Sequence, residues 1–366
     1  MEGVRITGTG ECTDAGESLE GLIFESARAA LADGGVGRND LDGIVIAASD
    51  QVDGRAISSM LTSGPAGAYL NDEINAASSP GHAFALACMM VASGTHRRIL
   101  ISSWGKASES EDHRTEAAER LSTDPFFDRD AGLTRLAAAG LQADVHRRGQ
   151  DDPERAAEAA ATVAARNHRP GRDRAEVLAS APVAAPLRQL EWPLETDGAY
   201  SILLEAETRD GTDPVSVQGI GWCADSYRLS DRDLVGVPHL RESAATAFRL
   251  AGVADPAAEV DAWELHDYSP DAEIVSYAAL GLCSADDALD RALAGWGGTG
   301  PAVNPEGGAV GGEPPFGGPL RRLVRATRYL RGETAGLDLR NGRVGVQMCT
   351  GFAGQFQSIF VLGSGS

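Results

Sequence analysis

Four short stretches of this chain hold side chains whose types suit them to chemistry. In the first, Asn75-Ala-Ala-Ser-Ser-Pro-Gly81 runs into an apolar segment. Ser78 and Ser79 are good helix N-cap residues there, and Pro80 suits a first turn. Backbone N–H groups at such a helix start stabilise developing negative charge, so a nucleophile placed there would be activated. The plainer alternative is a capped core helix. In the second, His266 ends an apolar run and is followed by Asp267, Tyr268 and Pro270, where a helix should open. An imidazole so placed either serves a site or is a satisfied strand-end histidine; Tyr268 either orients a substrate carbonyl or packs. In the third, Cys349-Thr-Gly351 sits between two apolar runs, and its thiol is either reactive or merely buried. In the fourth, Glu313 lies in a stretch, 303–319, too glycine-rich for a regular element and too apolar for a linker. A carboxylate there would be costly unpaired, so it is either protonated or held by a polar partner.

The elements that must position these residues repeat along the chain. Apolar patterning predicts a strand at 4–10, a helix at 25–36 and a strand at 41–48, then the same order again at 215–221, 242–253 and 260–265. Two such strand–helix–strand halves imply a duplicated α/β fold packed about a pseudo-two-fold axis, since each half alone leaves one sheet face uncovered. The boundaries expected are 1–206, with an excursion over about 105–185, and 215–366. The segment 81–94 is apolar nearly all round, as a helix between two layers must be, and a strand follows at 98–104. Cys88, within that helix, should face the core. Residues 107–130 are acidic and turn-rich and read as an exposed loop. Two helical patterns follow over 133–169, then a closing strand at 199–205 and a linker at 208–214. In the second half a helix is expected at 270–282, and a basic amphipathic one at 320–331 whose Arg321, Arg322, Arg325 and Arg328 read as a solvated face. Two strands around Cys349 close the chain.

A net charge of −21 argues against a nucleic-acid surface, because phosphate would meet long-range repulsion. Hydrophobic content of 43% is that of a folded chain, and no apolar run reaches membrane-spanning length. The first residues enter a strand directly, which leaves no room for a signal peptide, so a soluble cytoplasmic protein is expected. Cys12, Cys88, Cys223, Cys283 and Cys349 are scattered without CxxC spacing, which indicates neither a disulfide framework nor a zinc site, and no metal ligand set is expected.

Taken in order, Asp197-Gly-Ala199, Trp263-Glu-Leu-His-Asp267 with Ala279-Leu-Gly-Leu-Cys283, Asn304-Pro-Glu-Gly-Gly308 and Cys349-Thr-Gly351 resemble the thiolase superfamily over essentially the whole chain. The sterol-carrier-protein-type thiolases and thiolase-like proteins are the nearest in pattern. The resemblance implies a five-layer αβαβα fold, dimers or tetramers, and action on acyl thioesters of coenzyme A.

In that family a cysteine at a helix start takes the acyl group and a histidine of a Gly-His-Pro loop activates it. A second cysteine in Cys-x-Gly moves the substrate proton, and a His or Asn before an acidic residue builds an oxyanion hole. Carried over by motif, Ser78 stands where the nucleophilic cysteine belongs, and Glu313 in Gly312-Glu-Pro314 where the activating histidine belongs. This loop is one residue short, so Pro314 is an alternative match. His266 takes the oxyanion-hole position and Cys349 the second-cysteine position, with Tyr268, Gly308 and Gly351 as substrate-binding candidates. Three functions follow from the resemblance. One is an acyltransferase that makes or breaks a C–C or acyl bond on a thioester, with serine for cysteine. Another is a CoA-thioester retro-aldolase, although the aldolases of this type carry tyrosines where His266 and Glu313 stand. The third is a non-catalytic acyl-binding scaffold. Thiolysis through a cysteine acyl-enzyme is argued against. No tightly bound cofactor is expected; coenzyme A or an acyl carrier enters as part of the substrate. A homodimer and a small zinc-ribbon/OB-fold partner protein are further expectations, with no nucleic acid and no membrane.

Overall fold

The computed structural model describes residues 3–54, 56–77, 79–109, 114–206, 213–296 and 300–365. Ser78 and most of the expected linker lie outside these. Ten strands make the main sheet: β1 (Arg5–Cys12), β2 (Gly43–Ala47), β3 (Asp72–Asn75), β4 (Arg98–Lys106), β5 (Asp197–Glu205), β6 (Val215–Ala224), β7 (Ala262–Glu264), β8 (Ala302–Val303), β9 (Arg343–Thr350) and β10 (Phe356–Ser364). Their order across the sheet is β8-β7-β9-β10-β6-β1-β5-β4-β2-β3. Read outward from the β1/β6 junction, both arms repeat one pattern, each strand matched by the one five later. β1–β5 and β5–β4 are antiparallel and β4–β2 and β2–β3 parallel, as are their counterparts in the other arm. The junction itself is slight: Arg5 opposite Ser216 and Ile6 opposite Val215.

The two arms close on a shared middle layer. Helix α1 (Leu19–Asp33) is N-capped by the Ser18 hydroxyl, which accepts from Gly21 N–H, and buries Leu22, Ile23 and Ala30 on the outer face of β1, β4 and β5. Helix α2 (Pro80–Ala92) touches β2, β4 and β5 of one arm and β9 and β10 of the other. Its Ala83, Phe84, Ala87, Cys88 and Val91 are buried, which explains an apolar stretch with no polar face. After α3 (Arg114–Leu121), α4 (Arg135–Arg148), α5 (Pro153–Asn167), α6 (Pro238–Ala251) and α7 (Pro270–Ala279), helix α8 (Arg321–Leu330) lies beside α2 and touches β1, β5, β7, β9 and β10. Both middle helices share one apolar core with the two inner sheet faces. α6 covers β6 and β10 outside, so the layers run α1, first arm, α2 with α8, second arm, α6. This is the expected five-layer duplicated α/β architecture.

Two expectations need correction. Residues 107–130 are not all exposed loop: α3 forms within them and turns Thr115 and Glu119 inward, because Glu119 finds an ion partner in Arg135 at 2.7 Å. The arginines of α8 are not a solvated face either. A helix between two sheets has little wet side: Arg322 is 1% exposed, Arg321 and Arg325 donate to the carbonyls of Gly312 and Gly307 at 2.9 and 2.6 Å, and Arg328, paired with Glu11 at 2.7 Å, stays partly exposed.

Candidate active site

His266 is placed by a strand that stops and a helix that starts. β7 ends at Glu264, and Ser269 caps α7 by accepting from Ala272 N–H at 3.2 Å, which leaves residues 265–268 to turn between them. Asp267 is buried completely and takes the amides of Asn167 (2.8 Å), Ala309 (2.5 Å) and Val310 (3.5 Å), fastening this turn to the glycine-rich loop. Burial, with Glu273 nearby, raises the Asp267 carboxyl to about 7. Gly308 stands behind it. A Cβ there would sit 1.9 Å from Asp267 Oδ2, so no side chain is tolerated. Gly308 therefore does not line the cleft; it lets the loop approach the His266 turn.

The Cys349 backbone N–H points at His266 Nδ1 at 3.2 Å. An N–H only donates, so Nδ1 carries the lone pair and the neutral ring holds its proton on Nε2. Cys349 Sγ lies 3.2 Å from the same nitrogen. Burial first, and then the Arg322 cation, lower the His266 pKa to about 3, while burial pushes the Cys349 thiol up. At neutral pH the pair is an uncharged imidazole beside a protonated thiol.

Glu313 has a partner of its own. Burial would raise its carboxyl, but two bonds from Arg322, at 2.6 and 3.1 Å, prevail and hold it at about 2. Its Oε2 is 3.6 Å from His266 Nε2, on the side where the ring proton sits. Arg322 also donates to Leu265 carbonyl at 3.1 Å and stands 3.6 Å from Asp267, so one cation knits the Glu313 loop to the His266 turn. Tyr268 gives its hydroxyl to Gln142 at 2.7 Å and sets its ring edge-on to His266.

His266, Tyr268, Glu313, Cys349 and Gly351 line the deep end of a cleft, about 60 Å³, walled by Pro314, Pro315 and Phe316. A wider chamber of about 420 Å³ adjoins it; Arg135, Phe316, Thr350 and Gly351 border both. Ser79 and His82, at the start of α2, line that chamber. The Ser79 hydroxyl meets His82 Nδ1 at 2.8 Å and Thr350 Oγ1 at 3.5 Å. Sequence reasoning treated Ser79 as a cap and passed over His82; their i, i+3 spacing at a helix start was the signal. Arg135 and Arg322 gave no comparable signal.

Residues 221–364 match the family of thiolase C-terminal domain-like sequences. No curated protein matches the chain. Among solved structures, the Ltp2-ChsH2(DUF35) aldolase superposes with TM-score 0.80 at 19% identity, covering 99% of this chain and 98% of that one. Human mitochondrial 3-ketoacyl-CoA thiolase in complex with CoA gives 0.73 at 13%, over 100% and 98%. The monomeric SCP2-thiolase like protein type 1 of Mycobacterium smegmatis gives 0.70 at 18%, over 100% and 77%. The fold is that of the thiolases. The deep end of the cleft brings together His266, Glu313 and Cys349, which start far apart in the sequence. No described helix is long and apolar enough to cross a membrane.

Proposed function

We propose that this protein is an enzyme that breaks or forms the C2–C3 bond of a β-oxygenated acyl thioester by way of the thioester enolate. The observation that carries the reading is the Cys349–His266 pair, a thiol kept protonated by burial 3.2 Å from a neutral imidazole. When the bond breaks, its electron pair becomes the enolate of the thioester half. A neutral Nε2–H donor stabilises the enolate oxygen, and the Cys349 S–H supplies the proton that C2 then takes up. Glu313, quenched by Arg322, is a poor base, and at 3.6 Å from Nε2 it leaves the ring proton to the enolate oxygen. Coenzyme A or a carrier protein would present the acyl group, as CoA binds the human thiolase.

Two chemistries share this enolate. A β-keto substrate undergoes acyl transfer to a nucleophile; a β-hydroxy substrate gives its hydroxyl proton to water as C2–C3 breaks, leaving an aldehyde or ketone and the thioester enolate. The second is favoured by the locked Glu313 and by the likeness to the Ltp2-ChsH2(DUF35) aldolase. A homodimer and a small zinc-ribbon/OB-fold partner belong to the same proposal. Supporting an interface, edge strand β3 follows a surface with exposed Ile57, Met60, Tyr69 and Leu70. The test common to both chemistries is exchange at C2: acyl-CoA in D2O should gain deuterium with the wild-type protein and not with Cys349→Ala. Equal exchange by the two proteins would overturn the proposal.

A further inference from the structure

We infer that Ser79 and His82 form a proton relay that, in place of free water, takes the hydroxyl proton from C3 of a β-hydroxyacyl thioester, with no acyl-enzyme formed. This rests on the enolate reading above and deepens its retro-aldol branch by supplying the base. A β-keto substrate has no such proton to give, so the relay makes β-hydroxyacyl thioesters the substrate class.

The first support is that, among the described residues, the deep end of the cleft holds no free base. Cys349 keeps its proton; His266 Nδ1 is taken by the Cys349 N–H, and its Nε2 already carries a proton. Arg322 locks Glu313, and Glu195 takes the Thr115 hydroxyl and Arg135. Tyr268, whose hydroxyl donates to Gln142, is held protonated by burial. A protein group that takes the C3 proton has to stand in the adjoining chamber. The second support is the pair found there. An N-cap serine ordinarily accepts from the second or third backbone N–H of its helix, yet Ser79 makes no such bond. Its oxygen meets His82 Nδ1 at 2.8 Å and Thr350 Oγ1 at 3.5 Å, and Thr350 borders both the chamber and the deep end. Burial lowers the His82 pKa, so the ring is neutral at physiological pH, and Phe356 packs edge-on against it. Glu119 and Arg135 also face the chamber, but they pair with each other at 2.7 Å.

The step balances without a co-reactant. The C3 hydroxyl gives its proton to Ser79 Oγ as the Ser79 proton passes to His82 Nδ1. The C3 oxygen becomes a carbonyl oxygen, C2–C3 breaks, and its electron pair leaves as the thioester enolate, which takes the Cys349 S–H proton at C2. The products are an aldehyde or ketone and a shortened acyl thioester. The proton now on His82 returns to the Cys349 sulfur through water in the cleft, and Ser79 stays unacylated throughout.

3-Hydroxy-3-phenylpropanoyl-CoA tests the relay, because its cleavage gives acetyl-CoA and benzaldehyde, which is followed by absorbance. The wild-type protein should cleave it. Ser79→Ala and His82→Asn should each be about 100-fold slower in kcat while keeping wild-type deuterium exchange at C2 of acetyl-CoA. Asparagine keeps an acceptor for the Ser79 hydroxyl but takes no proton at neutral pH, so a purely structural role for His82 would leave His82→Asn active. Wild-type cleavage should also fall as pH drops below 6.5, through the lowered pKa of His82, and that limb should be missing from His82→Asn. Glu119 and Arg135 are present in both proteins, so a limb of theirs would survive the substitution. A circular-dichroism spectrum and melting profile like those of the wild type show that each variant has folded, and should one fail, the other decides. Wild-type exchange without cleavage, wild-type cleavage rates in a folded variant, loss of exchange together with cleavage, or an acyl adduct on Ser79 during turnover would overturn this inference alone. Absence of exchange in the wild type removes the enolate reading beneath it.

Discussion

Changing His266 to Asn gives a prediction whose size follows from the structure. The ring is held neutral because both its surroundings and the Arg322 cation oppose a charge, so it titrates at about 3 when folded against an ordinary 6.5. The unfolded chain therefore binds a proton that the folded chain refuses. Stability is at its plateau above pH 6.5 and falls as pH drops from 6.5 toward 3. Between about pH 7.5 and about pH 5 this single group should cost the fold about 2 kcal/mol, from the linkage of 1.36 kcal/mol per tenfold in proton activity. Asparagine keeps an acceptor for the Cys349 N–H but cannot titrate, so His266→Asn should lose about 2 kcal/mol less over that range, whatever its starting stability. Urea unfolding of both proteins at the two pH values measures the difference, with the unchanged carboxylates and other histidines cancelling. Parallel losses in the two proteins would show that His266 is not held neutral by its site, and the donor role of its Nε2–H would go with it.

Two further outcomes follow. Arg322→Met leaves the buried Glu313 carboxylate without its cation and Asp267 without a neighbouring positive charge, and should cost about 3–5 kcal/mol at neutral pH with part recovered on acidification as Glu313 takes a proton; unfolding curves at neutral and mildly acidic pH check both size and sign. Leu70→Glu, at a residue 93% exposed, should halve the mass seen by light scattering if the face beside β3 joins two copies, and an unchanged mass would remove that interface.

What could be read from the sequence divides by physical range. The duplicated strand–helix–strand order and the buried α2 were legible because periodicity is local and burial on all sides leaves no polar face to misread. His266 and Cys349 were singled out from short motifs, each carried by a few adjacent residues, and the structure sets the two side by side. The fate of α8 was not. A helix rich in arginine has the pattern of a wet surface, and only the assembled layers show that Arg322 is inside and that its neighbours are each answered by a carboxylate or a carbonyl. Gly308 was carried over by motif as a substrate-binding candidate. The neighbour it makes room for is Asp267, which belongs to this chain.

Glu313 shows how far that limit reaches into function. By motif it was expected where thiolases carry an activating histidine, with Pro314 as the alternative match, and that expectation suggests a base. The structure gives it two bonds from a fully buried guanidinium on a helix that starts eight residues later, and those bonds lower its basicity more than burial raises it. A carboxylate so held cannot usefully take a proton near pH 7, and at 3.6 Å from His266 Nε2 it leaves that N–H free to donate elsewhere. The acid–base work of the cleft then falls to groups left uncharged, the Cys349 thiol and the imidazoles of His266 and His82.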